Sequence, residues 1–142
     1  MQTYGYFEKT ITNAADARAW EINIPGVNAD QALHVFDGDY DLYLTVLRSY
    51  ADNTPAVLGK IRHVSEDTLP GYAICVHGLK SASGSICAEN ISERAAELED
   101  MAKAGNLSGV LAENDVFLRD AENLVKGISA WLDGPPAKDD AK

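Results

Sequence analysis

Three features of this chain predict an all-α fold. From residue 28 to residue 132 the apolar side chains recur three and four positions apart, the spacing of helix faces rather than of strands. The segments so patterned are divided by short polar or glycine-containing stretches that hold helix start and stop residues. The last segment carries Leu107, Val110, Leu111, Phe117, Leu118, Ala121, Leu124, Val125, Ile128, Trp131 and Leu132 in one unbroken register, the pattern of a bundle helix. Nothing in the sequence recommends a sheet.

The elements follow in order. Asn28-Ala29-Asp30-Gln31 has the form of a capping box, with Asn28 as cap and Gln31 reaching back. Leu33 and Phe36 share a face of the short helix that follows. Gly38 stops it and Asp39 caps the next. The second helix is expected to bury Tyr40, Tyr43, Leu44, Leu47, Tyr50, Leu58, Ile61 and Val64. Pro55 falls inside it and removes one hydrogen bond. The apolar phase nevertheless runs on through Thr54, Val57, Leu58 and Ile61, so one long kinked helix or two nearly collinear pieces are expected, not a reversal.

After the polar stretch Ser65-Glu66-Asp67-Thr68, the third helix should run from about Leu69 to about Ile86, with Pro70 in its first turn. Asn90-Ile91-Ser92-Glu93 looks like a second capping box and opens the fourth helix, whose inner stripe is Ile91, Ala95, Leu98 and Met101. Gly105-Asn106 stops it. The short connections between the later helices favour antiparallel neighbours.

The domain organisation expected is simple. Residues 28–133 form one helical domain. Residues 1–27 are a helical extension or a linker remnant, in which Phe7, Ile11, Ala14, Ala15 and Arg18 allow an amphipathic helix and Ile24-Pro25-Gly26 breaks it. Residues 134–142, polar and interrupted by Pro135 and Pro136, are expected to be a disordered tail.

Composition excludes several functions. The 142 residues suit one domain, and 46% hydrophobic residues can fill its core. A net charge of −10 repels a polyanion, so nucleic acid is not an expected partner. Two cysteines make no disulfide framework and suggest a reducing compartment. The longest apolar run, Tyr72 to Val76, is far too short to span a membrane. The first residues show no secretory signal. A cytoplasmic location and no membrane insertion are therefore expected; a monomer is the expected form, although composition alone leaves the oligomeric state open.

The third helix carries the candidate chemistry. Its inner stripe is Leu69, Tyr72, Val76, Leu79, Ser83 and Ile86. His77 follows Val76 and so points roughly 100° away from that stripe. On its own face lie Ala73, Lys80, Ser81, Gly84 and Ala88, all small but the lysine. Gly84 within a helix costs about 1 kcal/mol relative to alanine, and Ser81-Ala82-Ser83-Gly84-Ser85 is a poor helix sequence throughout. A flat platform around a projecting imidazole, open to close approach by another protein, accounts for that composition.

The chemistry is consistent. A neutral imidazole has a ring nitrogen with a free lone pair and can attack phosphorus without a separate base. Phosphoryl transfer depends mainly on positioning and charge neutralisation, and the Lys80 ammonium lies one turn away. No phosphate-cradling glycine loop is present, so the chain has no visible means of drawing phosphate from ATP. His34 and His63 have no comparable platform.

A zinc site of Cys75, His77 and Cys87 is disfavoured. Cys75 and His77 diverge on a helix, and Cys75 and Cys87 would stand about 18 Å apart along a continuous one. No metal or other cofactor is expected. An autonomous enzyme has little support, since no paired-carboxylate or Ser-His-Asp spacing stands out.

The segment His77-Gly78-Leu79-Lys80-Ser81-Ala82-Ser83-Gly84-Ser85-Ile86-Cys87-Ala88 resembles the signature of histidine phosphotransfer (HPt) domains. In that signature a histidine is followed by x-Leu-Lys-Gly/Ser, small residues and Ile-Gly-Ala. Phe36-Asp37-Gly38-Asp39-Tyr40-Asp41-Leu42-Tyr43 and Ala95-Ala96-Glu97-Leu98-Glu99 resemble the family in place and order, so the likeness covers about residues 28 to 132. It implies an antiparallel four-helix bundle and a phosphocarrier without its own ATP site. It also implies His77 as phosphoacceptor, Lys80 as the phosphate-neutralising cation, and Ala73, Ser81 and Gly84 as docking positions. The implied partners are receiver domains of response regulators or hybrid histidine kinases, whose aspartates give and accept the phosphoryl group and whose acidic pocket holds Mg²⁺. Ser81 stands where glycine is common, and Cys87 replaces the usual glycine near the helix end. The rival reading is a helical docking or dimerisation module that is never phosphorylated.

Overall fold

A computed structural model describes residues 22–133. Those residues form five α-helices and no strand: α1 (Ala29–Val35), α2 (Tyr40–Lys60), α3 (Leu69–Ser85), α4 (Glu89–Lys103) and α5 (Leu107–Asp133). The expected helix around Phe7 to Arg18 and the expected disordered tail at 134–142 lie outside the described residues.

Helices α2 to α5 make a four-helix bundle in which each packs on the next and α5 closes against α2. Side-chain bonds show that neighbours run antiparallel. Tyr43 of α2 reaches Ile86 at the end of α3, and Tyr50, further along α2, reaches Ser83, earlier in α3. Lys80 of α3 meets Ser92 early in α4, while His77 meets Glu99 later in it. The start of α5, at Asn114, bonds the carbonyl of Ile61 beyond the end of α2.

The inner stripe expected of α3 is buried at all six positions, although Ile86 serves as its C-cap rather than its last turn. Helix α2 is one continuous element through Pro55 and buries Tyr43, Leu47, Tyr50, Thr54 and Leu58, with Ile61 buried just past its end. Tyr40 and Leu44 are half-buried, and Val64 is half-buried in the loop after the helix. In α1 it is Ala32, not Leu33 or Phe36, that is fully enclosed. Leu111 of α5 is 52% exposed, because the core register of that helix passes through Val110 and Asn114 instead. Met101, Leu107, Trp131 and Leu132 are half-buried at the core's margin.

Helix ends explain where two expected caps succeed and one fails. Asn28 accepts the N–H of Gln31, and Asp39 accepts that of Leu42, each at 3.0 Å. Gln31 does not return the bond, and its Oε1 is buried without a partner. The box at Asn90 does not form: α4 begins at Glu89, with Ala88 as its N-cap. The cause lies in the α3–α4 turn. Cys87 has φ 65°, and its N–H bonds Gly84 O while that of Ala88 bonds Ser83 O. This is the paired closure that terminates helices through one left-handed residue. It brings the chain round so tightly that Asn90 is already helical. Gly105, with φ 74°, closes α4 in the same way through Met101 and Ala102. The glycine expected at position 87 from the family resemblance thus has a backbone reason, and cysteine holds that conformation here.

Residues 22–28 bind the bundle's end. Ile22 and Ile24 are buried, Pro25 and Gly26 turn the chain, and the Asn28 N–H bonds Cys87 O at 3.0 Å. Among the described residues no helix is long and apolar enough to cross a membrane.

Candidate functional site

His77 stands on α3 with 57% of its side chain exposed, one residue off the buried stripe. His34 and His63 are exposed too. What sets His77 apart is its partner. Its Nδ1 lies 2.9 Å from Oε2 of Glu99, a carboxylate on α4 whose side chain is only 4% exposed. Lys80 Nζ donates to the other oxygen, Oε1, at 2.9 Å, and Lys103 Nζ lies 2.9 Å from Oε2. One nearly buried anion therefore gathers an imidazole and two ammonium groups.

A buried carboxylate is tolerable only when charge and hydrogen bonds compensate it. The lysines do so: the Lys103 ammonium first, then Lys80, then His77 hold the Glu99 carboxyl down at about 2, against the opposing pull of burial. The same contact raises the Lys103 ammonium above its ordinary value. Glu99 is thus a permanent acceptor in neutral solution. A carboxylate can only accept, so the imidazole meets it with Nδ1–H, and in the neutral ring the lone pair falls on Nε2, on the edge turned from Glu99.

The platform residues are distributed unevenly. Ser81 is exposed and Ala73 half-buried. Gly84 is exposed on one side, yet a β-carbon there would sit 3.3 Å from Ser92 Oγ. Ser92 Oγ donates to the carbonyl of Lys80 at 2.9 Å. Gly84 therefore also allows α4 to approach α3 closely enough to bring Glu99 to His77. Ala88 does not belong to this face, since α3 ends at Ser85 and Ala88 is fully buried as the cap of α4.

Beside the platform, an apolar groove of about 340 Å³ runs between α2 and α3, lined among others by Val46, Val57, Ile74, Gly78 and Ala82. Ile74, one turn before Gly78, is 74% exposed. Cys75 is half-buried on the groove wall and Cys87 is buried in the α3–α4 turn. Among the described residues no group of three or more His, Cys, Asp or Glu side chains is placed to hold a metal ion.

Sequence reasoning missed Glu99 and Lys103. The available signal was their spacing: Glu99 lies four residues after the inward Ala95, and Lys103 four after Glu99, the orientation that favours an ion pair on one helix.

The described residues thus form an antiparallel helical bundle that presents a carboxylate-held histidine beside a lysine. The profile of the Hpt domain family matches residues 45–131, more than half of the chain, and the chain belongs to that family. Hpt domains carry out histidine phosphotransfer in phosphorelays, as phosphocarriers rather than enzymes with an ATP site of their own, and they interact with receiver domains. Comparison with curated proteins and with solved structures gave no match.

Proposed function

We propose that His77 accepts a phosphoryl group from a receiver-domain aspartate and passes it to another receiver aspartate. The observation that carries this reading is the pairing of His77 Nδ1 with the nearly buried Glu99 on an otherwise exposed ring. In the transfer, the Nε2 lone pair attacks phosphorus and an N–P bond forms. The P–O bond to the partner's aspartate breaks, and its electron pair leaves with that carboxylate. The Nδ1 proton stays in place, and the positive charge gained by the ring faces the Glu99 carboxylate, so no proton need move. Glu99 acts through the histidine and is a positioning residue. Lys80 neutralises the phosphoryl oxygens. Transfer in reverse needs only a second receiver.

Ser81, Ala73 and the open side of Gly84 form the surface against which the receiver closes, and the apolar groove with Ile74 extends it. Magnesium belongs to the partner's acidic pocket, and this chain itself calls on no cofactor. The carrier acts as a monomer in the cytoplasm.

Incubation with a phosphorylated receiver tests the reading. Acid-labile, base-stable phosphate is expected on His77, and His77→Ala should abolish it while leaving the helical circular dichroism unchanged. An unlabelled native protein would favour the rival docking module.

A further inference from the structure

The proposed transfer leaves one cation of the cluster without a task. Lys103 shares with His77 the same carboxylate oxygen, each at 2.9 Å. Its ammonium therefore lies no further from Nδ1 than twice that distance, about 6 Å, and it reaches a phosphoryl group on Nε2, the edge turned from Glu99, by swinging round the ring on its own side chain. It approaches from α4, whereas Lys80 approaches from α3. Its side chain is 64% exposed, against 35% for Lys80, so its long flexible stem is the freer of the two to swing.

We propose that Lys103 is a second phosphoryl-binding cation, held in reserve on Glu99 and released to the phosphate when His77 is loaded. Glu99 offers one negative charge. A phosphoryl group offers more charge and three acceptor oxygens, and so draws the ammonium away. Glu99 is not left uncompensated, because the phosphorylated ring carries positive charge on the edge that faces it. Lys103 remains protonated throughout and only exchanges one acceptor for another. The two lysines then hold the phosphate from two helices, which sets how long it stays and how much of the carrier is loaded. This inference rests on His77 being the phosphoacceptor.

The test compares Lys103→Ala and Lys103→Arg in the native protein and in a Glu99→Gln background, each equilibrated with the same phosphorylated receiver. The readouts are the phosphorylated fraction and the half-life of the phosphohistidine. Lys103→Ala should lower both by about five- to tenfold, the effect of one charge-assisted hydrogen bond at a partly exposed site, and Lys103→Arg should retain most of both. The loss should persist in the Glu99→Gln background. Unchanged values in Lys103→Ala would overturn the inference. So would a loss that disappears once Glu99 is neutral, since Lys103 would then act only by holding the carboxylate. A native protein that takes no label from any receiver would defeat the phosphotransfer reading itself, a result distinct from either.

Discussion

Two sets of polar groups enter the interior of the described bundle, one neutral and one charged, and they are built in opposite ways. Asn114 on α5 is buried and wholly neutral: it accepts from the Tyr72 hydroxyl at 2.7 Å and donates to Ile61 O at 2.8 Å. Toward the other end of α2 and α3, the Tyr50 hydroxyl pairs with Ser83 Oγ at 2.8 Å and the Tyr43 hydroxyl donates to Ile86 O at 3.0 Å. Burial pushes Tyr43, Tyr50 and Tyr72 above the usual phenol range, so this set is uncharged in neutral solution. Glu99 is equally buried but charged, and every partner it has reaches solvent. Neutral groups satisfied by one another serve to fix helices in register. A buried anion ringed by exposed cations stores charge where a reacting group can use it.

The largest expected effect breaks the neutral set. Asn114→Ala strips the Tyr72 hydroxyl of its acceptor and Ile61 O of its donor, and should cost about 2–3 kcal/mol in urea unfolding. Labelling of His77, measured at a temperature where the variant is folded, should change little. Tyr50→Phe removes the hydroxyl that Ser83 and Thr54 both meet and leaves each to rebond within its own helix, so a loss of about 1–2 kcal/mol is expected in the same assay. Lys80→Ala should reverse the pattern. It removes one of the three partners that compensate the nearly buried Glu99, so stability should fall, though less than in Asn114→Ala because Lys103 and His77 remain on the carboxylate, while stopped-flow transfer from a receiver slows clearly. Unchanged transfer there would remove Lys80 from the mechanism.

The smallest expected effect is a pH dependence confined to the charged set. The Glu99 carboxyl is lowered in the folded chain to about 2 from an ordinary 4.5. Between those values the unfolded chain binds the proton and the folded chain does not, so stability rises with pH there. The contribution is complete above about 4.5 and is lost as pH falls through about 2. The stability gap between the native protein and Glu99→Gln should therefore be constant near neutrality and drift in the native protein's disfavour on acidification. Asn114→Ala should show no such drift relative to native. A parallel acid profile for both variants would mean that Glu99 is not the held anion described here.

The sequence was most readable where one helix face decides the outcome. All six inner positions of α3 follow from periodicity, and the unbroken phase through Thr54, Val57 and Leu58 correctly carries α2 past Pro55. Exposure of His77 follows from its single-residue offset from Val76. What stayed hidden depends on contacts between helices. Helix α4 carries Glu89, Glu93, Glu97, Glu99 and Asp100, and only its packing on α3 shows which of these turns inward. The supposed box at Asn90 misled for a similar reason: its residue types fit, but the left-handed Cys87 had already set the helix start at Glu89. Gly84, read only as a surface residue, also faces Ser92, a contact between elements far apart in any one-helix view.

The most direct measurement is nuclear magnetic resonance of ¹⁵N-histidine protein loaded by a phosphorylated receiver. Phosphorus should be coupled to Nε2 of His77, with a proton retained on Nδ1 and only ordinary imidazole signals from His34 and His63. Phosphorus on Nδ1, on another residue, or on none would contradict a histidine presented to its partner by Glu99.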